Sequence, residues 1–123
     1  MGGLSRKLTA INDLRYHGKD PIILDAGDLL FTVPSVVDSN RASEIFRGSA
    51  ILDGFEKIGC NAINVGYQEL AAGYDVLMEL VSKTSIPFVS ANLLDPDTEE
   101  PIFKPYTIID RGGITFGVIG LTD

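Results

Sequence analysis

The chain has 123 residues, of which 45% are hydrophobic and 22% are charged, a composition typical of one ordinary globular domain. Its formal net charge of −7, without a basic cluster, argues against nucleic acid and anionic membranes as partners. No apolar run approaches the roughly 20 residues that a membrane helix needs, and the N-terminal MGGLSRKL lacks the apolar stretch of a signal peptide. The single cysteine excludes an intrachain disulfide and leaves the compartment open.

The chain is predicted to begin with a helix that leads into a buried strand. Four leucine and isoleucine residues recur at helical spacing, and the helix is predicted to end near Gly18. These residues are Leu4, Leu8, Ile11 and Leu14. After Pro21, the apolar run of residues 22–24 is typical of a strand that is buried on both faces of a parallel sheet.

The remaining elements alternate between helices and short apolar runs. Helical spacing predicts a second helix from about residue 42 to residue 58 and a third from about residue 74 to residue 83. The other strand-like runs are residues 61–65, 87–94, 106–110 and 114–120, the last two joined as a hairpin. Strands that alternate with helices pair in parallel through right-handed crossovers. The sequence therefore predicts an α/β fold with a mixed sheet and a C-terminal β-hairpin.

Polar residues follow two consecutive predicted strands. Asp25 and Asp28 lie in LDAGD at the end of the first strand, and Tyr67, Gln68 and Glu69 follow a glycine at the end of the next. Open α/β sheets bind ligands outside the carboxyl ends of their strands, so both groups are expected to face one crevice. An aspartate on a glycine turn is well placed there to hold a metal ion. A capping role for Asp28 explains the same motif equally well.

Three further residues have both a functional and a structural interpretation. His17, the sole histidine, follows the first helix, where a surface role favoured by the helix dipole is preferred over metal ligation. Asn92 ends the third predicted strand and either reaches the same crevice or, as we favour, bonds its own backbone in a turn. Cys60 adjoins an apolar strand with no histidine nearby to activate it, which favours a packed side chain over a nucleophile.

Four segments together resemble the N-terminal domain of the 5'-nucleotidase family, the calcineurin-like metallophosphoesterases that include bacterial UDP-sugar hydrolases. They are LDAGDLL, VGYQEL, SANLLDPDT and PIFKPYTIIDRGGITFGVIGLTD, and the likeness extends over nearly the whole chain. The resemblance implies a four-layer α/β/β/α sandwich that holds two divalent metals, such as manganese or zinc, at the carboxyl ends of its strands. It also implies metal-dependent hydrolysis of nucleotide phosphoesters.

When the family's site residues are compared with the matching positions of this sequence, one residue is the same and two are replaced. The family's Gly-Asp motif falls on Gly27-Asp28, whose aspartate bridges the two metals in the family, so Asp28 is the candidate metal ligand. The family's Gly-Asn-His-Glu motif falls on residues 66–69. There Tyr67 replaces an asparagine ligand, and Gln68 replaces a histidine that stabilises the transition state or assists the leaving group. The resemblance thus implies no catalytic residue in this chain. The residues expected to support the site from beside it are Asp25, Glu69 and Asn92.

The resemblance also predicts that residues 1–123 form a single partial domain. The family's Asp-x-His strand would precede Gly2, and its later histidine motifs would follow Asp123. We therefore expect no metal in the isolated chain and impaired or absent hydrolysis; the alternative is a non-catalytic binding or structural module.

The expected partners are a second copy of the chain or the remainder of its own polypeptide, and a nucleotide or phosphoester is the expected ligand. The family is mostly periplasmic or extracellular, whereas the N-terminal residues of this chain show no signal peptide. The sequence therefore leaves the compartment undecided.

Overall fold

The computed structural model describes residues 3–123. Within that range three α-helices alternate with the strands of a small sheet, and a hairpin follows. In chain order the elements are α1 (Leu4–Tyr16), β1 (Leu24–Asp25), α2 (Arg41–Ile58), β2 (Ala62–Asn64), a 3₁₀ turn (Tyr67–Leu70), α3 (Tyr74–Ser82), β3 (Phe88–Val89), β4 (Tyr106–Arg111) and β5 (Ile114–Ile119). No helix in this described part of the chain has the length and apolar character to cross a membrane.

The strands pair as the sequence predicts. The first three strands form a parallel sheet in the order β1-β2-β3, with Ile63 of the central strand in register with Asp25 on one side and Phe88 on the other. The strands β4 and β5 pair antiparallel through a tight turn at Gly112 and Gly113, both of which have positive φ. The α/β fold with parallel and antiparallel pairing is thereby confirmed. The four-layer sandwich stays a prediction.

The core lies between the parallel sheet and the helices α2 and α3. Its fully buried members include Ile63 from the central strand, Val65 directly after that strand, and Leu77 from α3. Two glycines of α2 let this helix approach its neighbours closely. A Cβ on Gly48 would lie 3.4 Å from Leu80, and a Cβ on Gly54 would lie 2.6 Å from Leu4 of α1.

The first strand is shorter and more open than the sequence predicts. It comprises two residues at the edge of the sheet, and Leu24 is 50% exposed, so the expected burial on both faces is wrong. On α3, Val76 and Leu80 are buried while Tyr74 is exposed.

The hairpin joins the parallel sheet at its base and projects from it. A bridge links Val89 to Lys104, and the amide of Ala91 donates to the carbonyl of Gly120 at 2.8 Å. An ion pair between Asp20 and Arg111 ties β4 to the loop before β1. Beyond this base the strand β5 is exposed over most of its length. A cavity of about 370 Å³ separates it from the sheet residues near the end of β1.

Candidate functional site

The Gly27-Asp28 turn lies directly after β1 and has an unusual backbone. Gly27 has a φ of 103° and Asp28 a φ of 56°, a left-handed conformation that aspartate tolerates better than most residues. The side chain of Asp25 stabilises the turn, because its Oδ1 accepts the amide of Gly27 at 3.0 Å. This bond is consistent with the supporting role predicted for Asp25.

Glu69 connects this turn to the loop that follows β2. Its carboxylate is completely buried, with 0% exposure. It accepts the amides of Asp28 at 2.7 Å, Leu29 at 2.6 Å and Leu30 at 3.1 Å, and also that of Gly66 at 2.7 Å. A buried charge is costly unless it is hydrogen-bonded, and four amide donors satisfy this one. The ends of β1 and β2 are thus held together by one side chain.

The Asp28 side chain makes the reciprocal contact. Its Oδ1 accepts the backbone amide of Gln68 at 2.7 Å. The two loops come this close because Gly66 has no side chain: a Cβ there would lie 2.5 Å from the amide nitrogen of Asp28. The structure therefore brings Asp28, Gln68 and Glu69 together at one edge of the sheet, as the sequence predicts. The carboxylate of Asp28 itself is exposed.

Asn92 lies in the loop that follows β3 and forms hydrogen bonds with a distant segment of the chain. Its Nδ2 donates to the carbonyl of Thr122 at 2.6 Å, and its Oδ1 accepts the Thr122 amide at 2.8 Å. The hydroxyl of Thr122 in turn donates to the Val65 carbonyl at 2.6 Å and lies 2.8 Å from the buried Ser90 hydroxyl. The favoured interpretation, a turn bond to its own backbone, is therefore wrong. Asn92 instead joins β3 to the segment after β5.

Asn64 is a site residue that the sequence analysis missed. Its Nδ2 donates to the carbonyls of Ala26 at 3.0 Å and Leu121 at 2.9 Å, so it joins the ends of β1, β2 and β5. Its Oδ1 is buried without a hydrogen-bond partner among residues 3–123. The available signal was a polar residue between Ile63 and Val65, in the middle of an otherwise apolar strand.

The two substituted motif positions differ in exposure. Tyr67 begins the 3₁₀ turn and is 64% exposed, so its phenol faces solvent beside the crevice. Gln68 is half-buried, and its backbone rather than its side chain makes the contact with Asp28.

His17 and Cys60 lie outside this arrangement. His17 is exposed after α1, and its Nδ1 lies 2.8 Å from the carbonyl of Asp13. Cys60 is buried with its Sγ 3.4 Å from the Ala62 carbonyl. Burial raises the pKa of the Cys60 thiol to about 11. A thiol with so high a pKa is a poor nucleophile near neutral pH, as expected for a packed side chain.

The side chains present do not form a complete metal centre. In the part of the chain that the structure describes, no three His, Cys, Asp or Glu side chains come together. Glu69 is fully engaged by amides, whereas Asp25 and Asp28 each accept one backbone amide through Oδ1, and Asp28 is the more exposed of the two. Metal ions of the zinc or manganese type take several side-chain ligands in a fixed geometry. Residues 3–123 therefore do not fit such an ion without additional ligands.

Comparison with known proteins gives a consistent set of relatives. A 5'-nucleotidase of Vibrio vulnificus is 34% identical over 124 residues, which cover 98% of this chain and 21% of the relative. The crystal structure of a 5'-nucleotidase precursor from Thermus thermophilus superposes with a TM-score of 0.77 at 27% identity, covering 98% of this chain and 23% of that one. A calcineurin-like phosphoesterase from Bacillus subtilis gives a TM-score of 0.69 at 24% identity, covering 98% and 40%. No protein-family model matches the chain.

The fold is therefore that of a calcineurin-like phosphoesterase, with the polar ends of β1 and β2 at the expected edge of the sheet. Over 98% of its length the chain is similar to 5'-nucleotidases, and the resemblance found in the sequence is confirmed. It spans about one fifth of the length of the curated relatives it matches.

Proposed function

We propose that the chain is a 5'-nucleotidase-like metallophosphoesterase domain whose metal-dependent hydrolysis of nucleotide phosphoesters is impaired or absent in the 123-residue chain. The observation that supports the family activity is the paired arrangement of the Gly27-Asp28 turn and the loop after β2. That pairing places one carboxylate, Asp28, in an exposed position at the carboxyl edge of the sheet. It is the edge at which open α/β sheets bind their ligands.

The proposed impairment follows from the two side chains beside that carboxylate. By the resemblance, Tyr67 stands where the family has an asparagine ligand and Gln68 where it has a histidine. A glutamine carries no titratable proton, whereas a positioned acid or base typically accelerates a reaction by about 10²–10⁴-fold. Two-metal hydrolysis also needs ions about 3.5–4 Å apart that clamp the attacking and leaving oxygens. The exposed carboxylate of Asp28 does not by itself provide such a clamp.

Hydrolysis of AMP, UDP-glucose and an aryl phosphodiester in the presence of manganese tests the proposal. We expect rates equal to those of a protein-free control. The double variant Tyr67→Asn, Gln68→His is expected to remain inactive, because the other ligands of a metal pair are not supplied by the described residues. Clear activity that the further replacement Asp28→Asn abolishes would contradict the impairment and would place the reaction at this crevice.

A second candidate is a non-catalytic binding module for a nucleotide or other phosphoester. The observation that favours it is that Glu69 keeps both loops assembled although Tyr67 and Gln68 have replaced the family's residues. Saturable binding of AMP without turnover, weakened by Tyr67→Ala, would support the module. Turnover of the bound nucleotide would favour the enzyme.

The partner that we propose for the free edge of the hairpin is a second copy of the chain. The strand β5 pairs with β4 on one side, and its exposed apolar residues include Ile119 at 69% exposure. Residues 114–121 carry no charge, although the chain as a whole has a net charge of −7. Two copies of β5 can therefore pair without bringing like charges together, and uncharged edge strands readily recruit other chains.

Sedimentation at low micromolar concentration checks this expected self-association. The unmodified chain should sediment as a species heavier than its monomer mass of 13.2 kDa. The variant Ile119→Lys places a charge on the edge strand and should shift the population to monomer. The control Tyr16→Lys alters an even more exposed residue, on α1, and should leave the sedimentation unchanged. A monomeric unmodified chain, or a heavier species that Ile119→Lys leaves intact, would contradict the pairing.

A further inference from the structure

The buried carboxylate of Glu69 bonds mainly to the loop of a different strand. Three of its four amide donors belong to residues 28–30, and the remaining donor is Gly66 in its own loop. Three of the four distances are 2.6–2.7 Å, at the short end of the range for bonds to a charged acceptor. Glu69 is fully enclosed, with 0% exposure, so its carboxylate does not reach solvent. Its role is therefore exerted through the backbone of residues 28–30.

Asp28 is the residue most affected by these hydrogen bonds. Its φ of 56° is a conformation that residues other than glycine rarely adopt, so neighbouring contacts must maintain it. The amide of Asp28 is bound by Glu69, and the carboxylate of Asp28 is bound by the amide of Gln68. If the backbone at residue 28 relaxed, its carboxylate would move away from Gln68.

We propose that Glu69 is a positioning residue, whose buried charge holds Asp28 in its left-handed conformation and so fixes the Asp28 carboxylate at the edge of the sheet. The functional value of this position rests on the proposed function, but the positioning itself does not. A residue that merely stabilised the fold would affect all parts of the core alike. A positioning residue has a specific local effect on Asp28.

The Gln68 amide reports that local effect, because it bonds to Asp28 and makes no bond to Glu69. The Ile63 amide bonds to the Pro87 carbonyl at 3.0 Å and reports the integrity of the sheet. In Glu69→Gln we expect hydrogen exchange at Gln68 to accelerate by about tenfold or more while exchange at Ile63 changes by less than about twofold. The matched control is Glu56→Gln, which alters an exposed carboxylate that bonds Thr84 and Ser85 and should change neither amide.

Two outcomes would overturn the proposal. Unchanged exchange at Gln68 in folded Glu69→Gln would mean that Asp28 keeps its place without the charge. Equal acceleration at Gln68 and Ile63 would mean that Glu69 supports the fold as a whole. Because hydrolysis is not measured, failure here leaves the proposed function standing, and failure of that function leaves this result standing.

A measurement on the unmodified chain covers the case in which Glu69→Gln does not fold. Hydrogen bonds transmit weak scalar couplings between the donor nitrogen and the acceptor carbon. We expect couplings from the Asp28 nitrogen to the Glu69 carboxyl carbon and from the Gln68 nitrogen to the Asp28 carboxyl carbon, since both bonds measure 2.7 Å. Absence of either coupling would show that one of the two hydrogen bonds is not formed, and would overturn the proposal.

Discussion

Replacement of Gly27 by alanine should lower the free energy of unfolding by about 2–5 kcal/mol. Gly27 has a φ of 103°, which is strained for any residue with a side chain. An added Cβ would also lie 2.6 Å from the amide nitrogen of Gly66 and 2.9 Å from the carbonyl oxygen of Asn64. These are backbone atoms, so they cannot rotate away as the end of a flexible side chain would. Urea denaturation followed by far-ultraviolet circular dichroism measures the loss.

The variant Gly73→Ala separates the two causes of this loss. Gly73 has a φ of 93°, close to that of Gly27, but a Cβ there would meet nothing within 4 Å. Backbone strain alone should then cost about 1–2 kcal/mol. The remaining loss in Gly27→Ala reports the close approach of the loops after β1 and β2. Equal losses in the two variants would show that this approach contributes nothing to stability.

The order and pairing of the elements could be predicted because they depend on local patterns. Apolar spacing places α2, and Gly59 ends it with a left-handed φ of 82°, as a glycine after a helix commonly does. Two glycines between apolar runs predict the hairpin of β4 and β5. Each of these features is determined by residues that are close together in the sequence.

The exposure of particular side chains could not be predicted in the same way. The run that includes Leu24 has the composition of a strand buried on both faces, yet Leu24 lies at a sheet edge and is half exposed. An apolar pattern indicates that a strand is suited to burial by neighbouring elements. Whether it is covered depends on which other elements are present.

Some features of the candidate site could likewise be predicted from the sequence, and others could not. The meeting of Asp28 with residues 66–69 could be predicted, because the carboxyl ends of neighbouring parallel strands lie at one edge of a sheet. Two long-range hydrogen bonds could not be predicted. Glu69 accepts an amide 39 residues away, and Thr122 donates to a carbonyl 57 residues away. Such bonds depend on the final approach of loops, which no spacing within the sequence encodes.

The metal content of the chain bears most directly on the central claim, which is that residues 3–123 share the phosphoesterase fold but do not supply a metal pair of their own. The scaffold is supported by the relatives and by the assembled loops. The missing pair is inferred from Tyr67 and Gln68 and from the absence of any three-member His, Cys, Asp or Glu cluster in residues 3–123. One exposed carboxylate attracts a divalent ion weakly, because the ion keeps most of its water.

Calorimetric titration of the 123-residue chain with manganese or zinc is the decisive measurement. We predict no site tighter than the high micromolar range, and we expect Asp28→Asn to remove whatever weak binding is present. Asp53→Asn, which changes an exposed carboxylate on α2, is the matched control and should leave the titration unchanged. Two tightly bound ions per chain, lost on replacement of Asp28, would contradict the claim and show that these residues build a dinuclear centre.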